Sequence, residues 1–459
     1  MKRGKEIARQ ESNVTFRLSG YMIPAVISMV IVGTNANIDG LFIGRIMGDD
    51  GLAAINIVWP IVALTAALGT GIGMGGSVLL NDLRGKGENR QAEIIKNTTL
   101  LLLPVAGIIT SFFLLFLYTP LLKGMGAEGN VLFLSEQYAV MISAGASVQI
   151  CGAGIVVILR NDRNPVLGMF YSFAGVALHI LLDIFLVDPL GMYGVAAATV
   201  LSQFAVAAGG FFSVRKERDA KPDRHLISEI IRNSAAPFGI NFVPSLVLMF
   251  TNYAALHTGG EAGVAAYAVM SYAVYTFDYI FQGVCDGIQP VISYCTGSGD
   301  ERQKKHAMKT ALLILFILSA AFAALTPLWI TVMPVLFHVS DAAGKMMKSG
   351  FMIYSASYLL KAVVKYVCSC CYASGRAGIS NVLVYLDPLL FTPVSLIAFS
   401  SCMGMNGVWI AMPASQAFWR WQELLYSQKA ESKDADRISV IFPYCFYRKF
   451  TCASVDHVL

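Results

Sequence analysis

A short stretch near the end of the first apolar run, TNANIDGLFIGRIMG, contains an aspartate where lipid-facing residues are expected. Asp39 is followed by Leu41, Phe42 and Ile43, so the apolar run continues past the acid instead of ending there. Ionisable residues inside membrane-spanning segments are costly, and they usually face a cavity or a partner. Asp39 is therefore a candidate functional residue if the chain crosses a membrane.

A second aspartate, in ALHILLDIFLVDP, has the same setting. Asp183 lies about one helical turn before the outer end of its apolar run, and Asp39 lies about two turns before the outer end of its own. His179 precedes Asp183 by four residues, which places both on one helix face, about 6 Å apart along the axis. Two carboxylates and an imidazole at one depth could bind and release a cation or a proton. The alternative is that the acids cap helix ends at the membrane interface.

The second half of the chain carries further ionisable residues in apolar runs. Asp278, Lys361, Lys365 and Asp387 each fall near the middle of a run, and the two lysines are again four residues apart. Opposite charges at one depth predict internal ion pairs that satisfy each other, and a role in substrate binding or coupling is the alternative. Asp286, in GVCDGIQP, lies deeper, where either a gating contact or a solvated face is expected.

The composition indicates the environment that these residues occupy. The 459 residues are 56% hydrophobic and 14% charged, with a mean hydropathy of +0.61, whereas soluble domains carry about 25% charged residues. The nine cysteines fall mostly in apolar runs, and CSCC lacks the spacing of a zinc site. No nucleotide-binding, metalloprotease or nucleophile-elbow motif is present. We therefore expect a polytopic membrane protein without catalytic residues, resident metal, cofactor or nucleic-acid partner.

Apolar runs of about 20 residues, long enough to cross a bilayer, number eleven, and a weaker twelfth begins near residue 405. If the N-terminus is cytoplasmic, most of the 34 Lys and Arg fall on the cytoplasmic side. This pattern predicts an all-α fold of twelve transmembrane helices in the plasma (inner) membrane, with both termini in the cytoplasm.

A basic linker, residues 214–234, divides the chain into two six-helix lobes. The predicted lobes are residues 18–213 and residues 235–426, flanked by a cytoplasmic N-terminus (1–17) and an atypical cytoplasmic tail (427–459). When the two halves are aligned so that Gly48 meets Gly260, GKGENRQ falls on GSGDERQ. Six helices per repeat preserve orientation, so the lobes are expected to be related by a pseudo-two-fold axis along the membrane normal. Two such lobes around a central cleft are typical of an alternating-access transporter.

Several motifs resemble those of the multidrug and toxic compound extrusion (MATE) transporters of the MOP flippase superfamily, in particular the bacterial drug-efflux branch. The motifs are NIDGLFIGRIMGDDGLAAINI, ILRNDRNPVLGM, HILLDIFLVDPLGMYGVAAATVLSQ, FQGVCDGIQPVISYCTGSGD and GMNGVWIAMPASQ. The likeness covers about residues 14–420. It implies a monomer that exports small organic compounds, cationic or amphipathic, by antiport with H⁺ or Na⁺.

The resemblance also implies a cation or proton coupling site made by Asp39, Asp183 and Thr199. The family has an Asn four residues before the second acid, and this chain has His179 there. Neutral imidazole is a poor Na⁺ ligand, so the substitution favours the proton. The family often carries an Arg in span eleven, whereas this chain has Asp387, so the C-lobe arrangement is expected to differ.

Other classes remain open at this point. A lipid-linked oligosaccharide flippase of the same superfamily usually has a more cationic cleft, whereas these spans hold two Lys and no Arg against five Asp. A channel or a receptor would also be polytopic. After residue 418 the family continues with apolar helix, but here WRWQELLYSQKAESKDADR follows. Either a shifted reading frame from about residue 419 or a genuine cytoplasmic tail accounts for this departure.

Overall fold

The computed structural model describes most of the chain, and the described part is almost entirely helical. The described ranges are residues 2–162, 164–214, 220–337 and 339–430, with the backbone alone for 2–17, 34–37, 41, 45, 49 and 418–430. Within these ranges there is no β-strand. The predicted tail beyond residue 430, and with it the question of the reading frame, lies outside the described residues.

The described part of the chain folds into twelve helical spans, numbered α1 to α12 in chain order. The first six are α1 (2–47) and α2 (49–85), which together form Lys2–Gly85, then α3 (Asn89–Gly124), α4 (Gly129–Ala144 and Ala146–Asn161), α5 (Pro165–Leu190) and α6 (Met192–Ser213). A 3₁₀ turn, Arg224–Leu226, comes before α7 (227–259) and α8 (261–298), which together form Ile227–Ser298. The remaining four are α9 (Glu301–Leu336), α10 (Asp341–Ser355 and Ser357–Ala373), α11 (Ala377–Leu386, a π-helical turn Asp387–Phe391, and Thr392–Met403) and α12 (Met405–Ala430).

The lengths and compositions of these helices are those of a multi-pass membrane protein. Of the described helices, eight are long and apolar enough to cross a membrane, and ten are if the bent pairs α4 (60°) and α10 (48°) each count as one span. That count treats α7 and α8 as one helix, so their separation gives an eleventh span. Helix α12 is not among these candidate spans and is the twelfth helix of the fold. The predicted twelve-helix, two-lobe class is confirmed. Helix α7 begins at Ile227, earlier than the predicted residue 235.

The internal repeat reappears in the backbone at the breaks between α1 and α2 and between α7 and α8. Gly48 has φ 64° and ψ −150°, and Gly260 has φ 59° and ψ −154°. Essentially only glycine adopts this region, because a Cβ would clash there. The two lobes therefore make the same sharp reversal at equivalent positions, as the alignment of Gly48 with Gly260 predicts.

The lobes make a close backbone contact where the end of α2 crosses the end of α8. Gly85 leaves no room for a Cβ against the carbonyl oxygen of Tyr294, and Gly297 leaves none against that of Asp82. Gly85 and Gly297 are equivalent positions of the repeat, so each one faces the opposite lobe near the pseudo-two-fold axis. This crossing lies in the half of the bundle where α1 begins, and it closes the lobe interface at that end.

Candidate functional site

Four residues from three helices converge in the first lobe, and we call them the N-lobe cluster: Asp39 (α1), His179 and Asp183 (α5), and Thr199 (α6). The Nδ1 atom of His179 lies 3.5 Å from Oδ1 of Asp39 and 3.8 Å from Oδ2 of Asp183. On its other side, Nε2 lies 3.0 Å from the Thr199 hydroxyl. The four-residue spacing in α5 thus places His179 between the two carboxylates.

The two carboxylates of the N-lobe cluster are buried within their helices. Asp39 is 5% exposed and Asp183 is fully buried, and α5 continues to Leu190 beyond the acid. Neither residue therefore caps a helix end at the membrane interface. Among the described residues, Oδ1 of Asp39 and both side-chain oxygens of Asp183 lack a hydrogen-bond partner. Burial of such groups costs free energy unless a proton or cation is bound.

A fifth residue of this site, Tyr138 on α4, was missed from the sequence. It is 2% exposed and close enough to Thr199, Asp39 and Asp183 to interact with their polar groups. Tyrosines are common in these spans, and nothing in the local pattern distinguishes Tyr138 from a packing residue. Tyr138 lies in the first segment of α4, Gly129–Ala144, and this segment packs against α6.

The arrangement can hold one small cation or share a proton. One ligand atom from each of Asp39, His179 and Asp183 lies within 4.8 Å of the others. The Thr199 hydroxyl donates to the Val195 carbonyl at 3.2 Å, so its oxygen is available to accept from the Nε2–H of a neutral His179. In that tautomer Nδ1 presents its lone pair to two carboxylates, and the space between the three acceptors suits a positive charge.

The ionisable residues of the second lobe form an ion-paired group around Asp278. Lys365 lies 2.9 Å from Asp278 Oδ2 and donates to the Asp278 carbonyl (3.3 Å) and to Oε1 of Gln282 (3.4 Å). Lys361 lies farther away, with its Nζ 3.8 Å from Asp278 Oδ1. The structure therefore brings together three of the four residues named from the sequence. Asp387 does not join them, and it forms no ion pair among the described residues.

A cavity of about 130 Å³ separates this ion-paired group from Asp387. It lies within the second lobe and is lined by residues of α7, α8, α10, α11 and α12. Asp387 begins the π-helical turn of α11 and lies beside Thr392 and Ser415. Single π-helical turns often mark functional sites. The cavity therefore has charged residues on two walls and apolar surface between them.

A buried ion pair links the two lobes. Arg160, at the end of α4, donates to Asp286 of α8 at 2.7 Å, and the two side chains are 2% and 1% exposed. Gln282 donates to the other Asp286 oxygen at 2.7 Å and accepts from Lys365. Asp286 therefore makes a contact between lobes and not a solvated face. Arg160 was missed, because the sequence RNDR was assigned to a cytoplasmic loop.

A separate charge network holds the same end of the first lobe together. Arg84 contacts Glu93 (3.0 Å) and Asp162 (2.5 Å), and Lys96 contacts both acids as well. All four residues belong to α2, α3 or the turn after α4. This network therefore stabilises one lobe without bridging to the other.

Known proteins match this chain in both lobes. A family model described as MatE matches residues 24–185 and 238–386. The multidrug export protein MepA of Staphylococcus aureus (strain NCTC 8325 / PS 47) is 22% identical over 409 residues, covering 87% of this chain and 90% of the relative. MepA of Staphylococcus saprophyticus is 21% identical over 413 residues, with the same coverage.

Two solved structures share the fold. One is an outward-facing conformation of a multidrug resistance MATE family transporter of the MOP superfamily, with a TM-score of 0.84 at 22% identity. The other is a MOP superfamily transporter from Pyrococcus furiosus Vc1 (DSM3638), described as having a binding pocket of reverse polarity, with the same score and identity. In both cases the match covers 93% of this chain and 96% of the other.

Proposed function

Because the chain belongs to the MatE family of transporters, we propose that it exports small organic compounds, cationic or amphipathic ones, by antiport with an inward-moving ion. The named relatives are multidrug export proteins, and they motivate the proposal that this chain also handles more than one compound. Antiport needs a group that binds the ion on one side of the membrane and releases it on the other.

The observation that carries the antiport proposal is the N-lobe cluster. Asp39 and Asp183 are buried carboxylates whose free oxygens face one another across His179. With the ion bound, the two acids are drawn together and the cluster is stable in a closed lobe. Without it, repulsion between carboxylates and the cost of burying them favour movement of α1 away from α5. Ion binding and helix position are thereby linked.

We propose the proton as the coupling ion. The lone pair of His179 Nδ1 occupies the place where a sodium ion would require an oxygen ligand, because hard cations prefer oxygen. A proton needs no coordination shell and can be shared between Nδ1 and a carboxylate oxygen. Na⁺ coupling is the alternative, and it would use oxygens of Asp39, Asp183 and Thr199.

The closed lobe interface indicates which way the cleft faces in this conformation. If the N-terminus is cytoplasmic, the crossing of α2 and α8 seals the cytoplasmic side and the cleft opens outward. Rocking of the lobes about this crossing would then alternate access, as expected for two parallel repeats. A flippase for lipid-linked oligosaccharides is less well supported, because the two lysines of the C-lobe cavity face two carboxylates.

The test is transport by the purified protein in liposomes with pH and Na⁺ gradients imposed separately. We expect a pH gradient alone to drive transport of a dye across the liposome membrane in the direction that corresponds to export from the cell. Asp39→Asn should abolish this transport, while its melting temperature stays within a few degrees of wild type. Ser28→Ala, a buried residue elsewhere on α1, serves as the matched control. Gradient-driven transport by Asp39→Asn at the wild-type rate would disprove the assignment.

A further inference from the structure

We propose that the C-lobe cavity binds its compound through an anionic group held by the ammonium of Lys361. The proposal rests on the export function above and narrows the substrate class to amphipathic molecules that carry an acidic group. Of the cationic or amphipathic compounds expected above, it selects amphipathic ones and excludes those whose only charge is positive.

Lys361 and Lys365 lie one turn apart on the same face of α10, but their hydrogen bonding differs. The Lys365 ammonium has three acceptors: a carboxylate oxygen and a carbonyl oxygen of Asp278, and the amide oxygen of Gln282. Those three contacts use all three donors of an ammonium group. Lys365 is therefore a saturated, structural member of the ion-paired group.

The N–H donors of the Lys361 ammonium, in contrast, are not used in hydrogen bonds with the described residues. Its Nζ lies 3.8 Å from Asp278, too far for a hydrogen bond, and it lies 5.5 Å from the centroid of the Tyr354 ring. Within the described part of the chain it makes no hydrogen bond. Its side chain is 14% exposed and lines the cavity. An ammonium that makes no hydrogen bond in a largely apolar cavity can donate to an acceptor group on a bound compound.

The charges on the walls favour an anion at this place. One carboxylate, Asp278, is shared between two ammonium groups, so this wall carries a net positive charge. The other carboxylate, Asp387, is on the opposite wall and lies beside Thr392 and Ser415. A molecule with its acidic group at Lys361 therefore meets the positive wall, and a basic group elsewhere on it would face Asp387.

The rest of the cavity suits a flat apolar body. Tyr267, Met270, Tyr354 and Met412 line it together with aliphatic residues. Aromatic faces stack on rings, and methionines adapt to varied shapes. A single ammonium matches a single negative charge, such as a carboxylate or sulfonate. It does not match a pyrophosphate, which needs several cations.

The competing explanation is that Lys361 only balances the charge of Asp387 across the cavity. The two explanations differ for Asp387→Asn. If Lys361 is a counterion, this change leaves the ammonium without its balance and lowers thermal stability. If Lys361 binds the compound, Asp387→Asn removes a repelling charge and leaves anion binding equal or tighter.

The test uses three fluorescent probes with one dansyl body: dansylglycine (anionic), dansylamide (neutral) and dansylcadaverine (cationic). Binding to the purified full-length protein in nanodiscs is measured by fluorescence titration, without any gradient. We expect dansylglycine to bind at least about tenfold more tightly than dansylamide, and Lys361→Met to weaken dansylglycine alone by about 10- to 100-fold, the range for a hydrogen bond to a charged group.

Lys361→Arg should retain most of the preference for the anion, and Lys345→Met, at an exposed position outside the cavity, controls for loss of positive charge. Melting temperatures show that each variant is folded. Equal binding of dansylglycine and dansylamide by wild type, an anion preference that survives Lys361→Met, or tightest binding of dansylcadaverine would overturn the proposal. Since no ion gradient is involved, these results are independent of whether Asp39→Asn abolishes antiport.

Discussion

The contribution of the Arg160–Asp286 ion pair to the closed lobe interface can be tested directly by mutation. Replacing Asp286 with Asn leaves the Arg160 guanidinium buried without a counterion. Removing one member of a buried ion pair costs about 3–5 kcal/mol, and screening by water is small because the side chains are 2% and 1% exposed. The cost falls on the closed arrangement alone, since separation of the lobes lets Arg160 reach water. We therefore predict that the equilibrium shifts toward the open arrangement by roughly 10²- to 10³-fold or more.

Hydrogen–deuterium exchange read by mass spectrometry measures this shift without labels. Peptides that cover residues 82–88 and 294–300, where α2 crosses α8, should exchange faster in Asp286→Asn than in wild type. The charge-swapped double variant, Arg160→Asp with Asp286→Arg, should restore slow exchange.

Asp162→Asn is the matched control for this experiment. It breaks a buried charge network at the same end of the molecule, but all its contacts, with Arg84 and Lys96, stay within one lobe. It should leave exchange at 294–300 unchanged. If Asp286→Asn exchanges as slowly as wild type, or if Asp162→Asn accelerates exchange at 294–300 equally, the ion pair does not hold the lobes together.

Two further predictions concern the coupling ion and the helix breaks. His179→Asn replaces the imidazole with an amide that offers an oxygen ligand. A Na⁺ gradient should therefore drive transport by this variant in liposomes, although it does not drive transport by wild type. Continued coupling to the pH gradient alone would contradict the role given to His179. Gly260→Ala puts a Cβ at φ 59° and should destabilise the fold by about 1–3 kcal/mol, seen as a lower melting temperature. Gly378→Ala, where a Cβ meets nothing within 4 Å, should be neutral or slightly stabilising, and an equal loss in both variants would show that strain at Gly260 is not the cause.

Much of the architecture could be read from the sequence because membrane helices carry strong, local signals. Run length and the placement of Lys and Arg define the spans, and the glycines at 48 and 260 mark the repeat because no other residue fits their backbone. The cluster of Asp39, His179 and Asp183 was also accessible, since two runs of the same direction put the acids at one depth and the four-residue spacing put the histidine beside them.

Contacts between lobes, in contrast, could not be predicted. Arg160 lies at the end of an apolar run, and the sequence is equally compatible with a place in a cytoplasmic loop and with a buried ion pair. Its burial depends on which lobe surface meets it, and that depends on the conformation adopted. Asp387 was grouped with Asp278 by depth, but helix rotation and the π-helical turn put it on another wall of the cavity, which a one-dimensional depth argument does not capture.

The backbone symmetry between Gly48 and Gly260 does not extend to the charged residues of the two lobes. Continuing the same ungapped alignment, Asp39 of the first lobe corresponds to Thr251 of the second, a buried neutral residue that donates its hydroxyl hydrogen to the Val247 carbonyl. In the reverse direction, Asp278 corresponds to Ala66. In this alignment, therefore, neither Asp39 nor Asp278 has a charged counterpart in the other lobe. If the chain works as the antiporter proposed above, the N-lobe cluster would take one ion and the C-lobe cavity one molecule of the exported compound, and this single pair of sites would set the exchange stoichiometry.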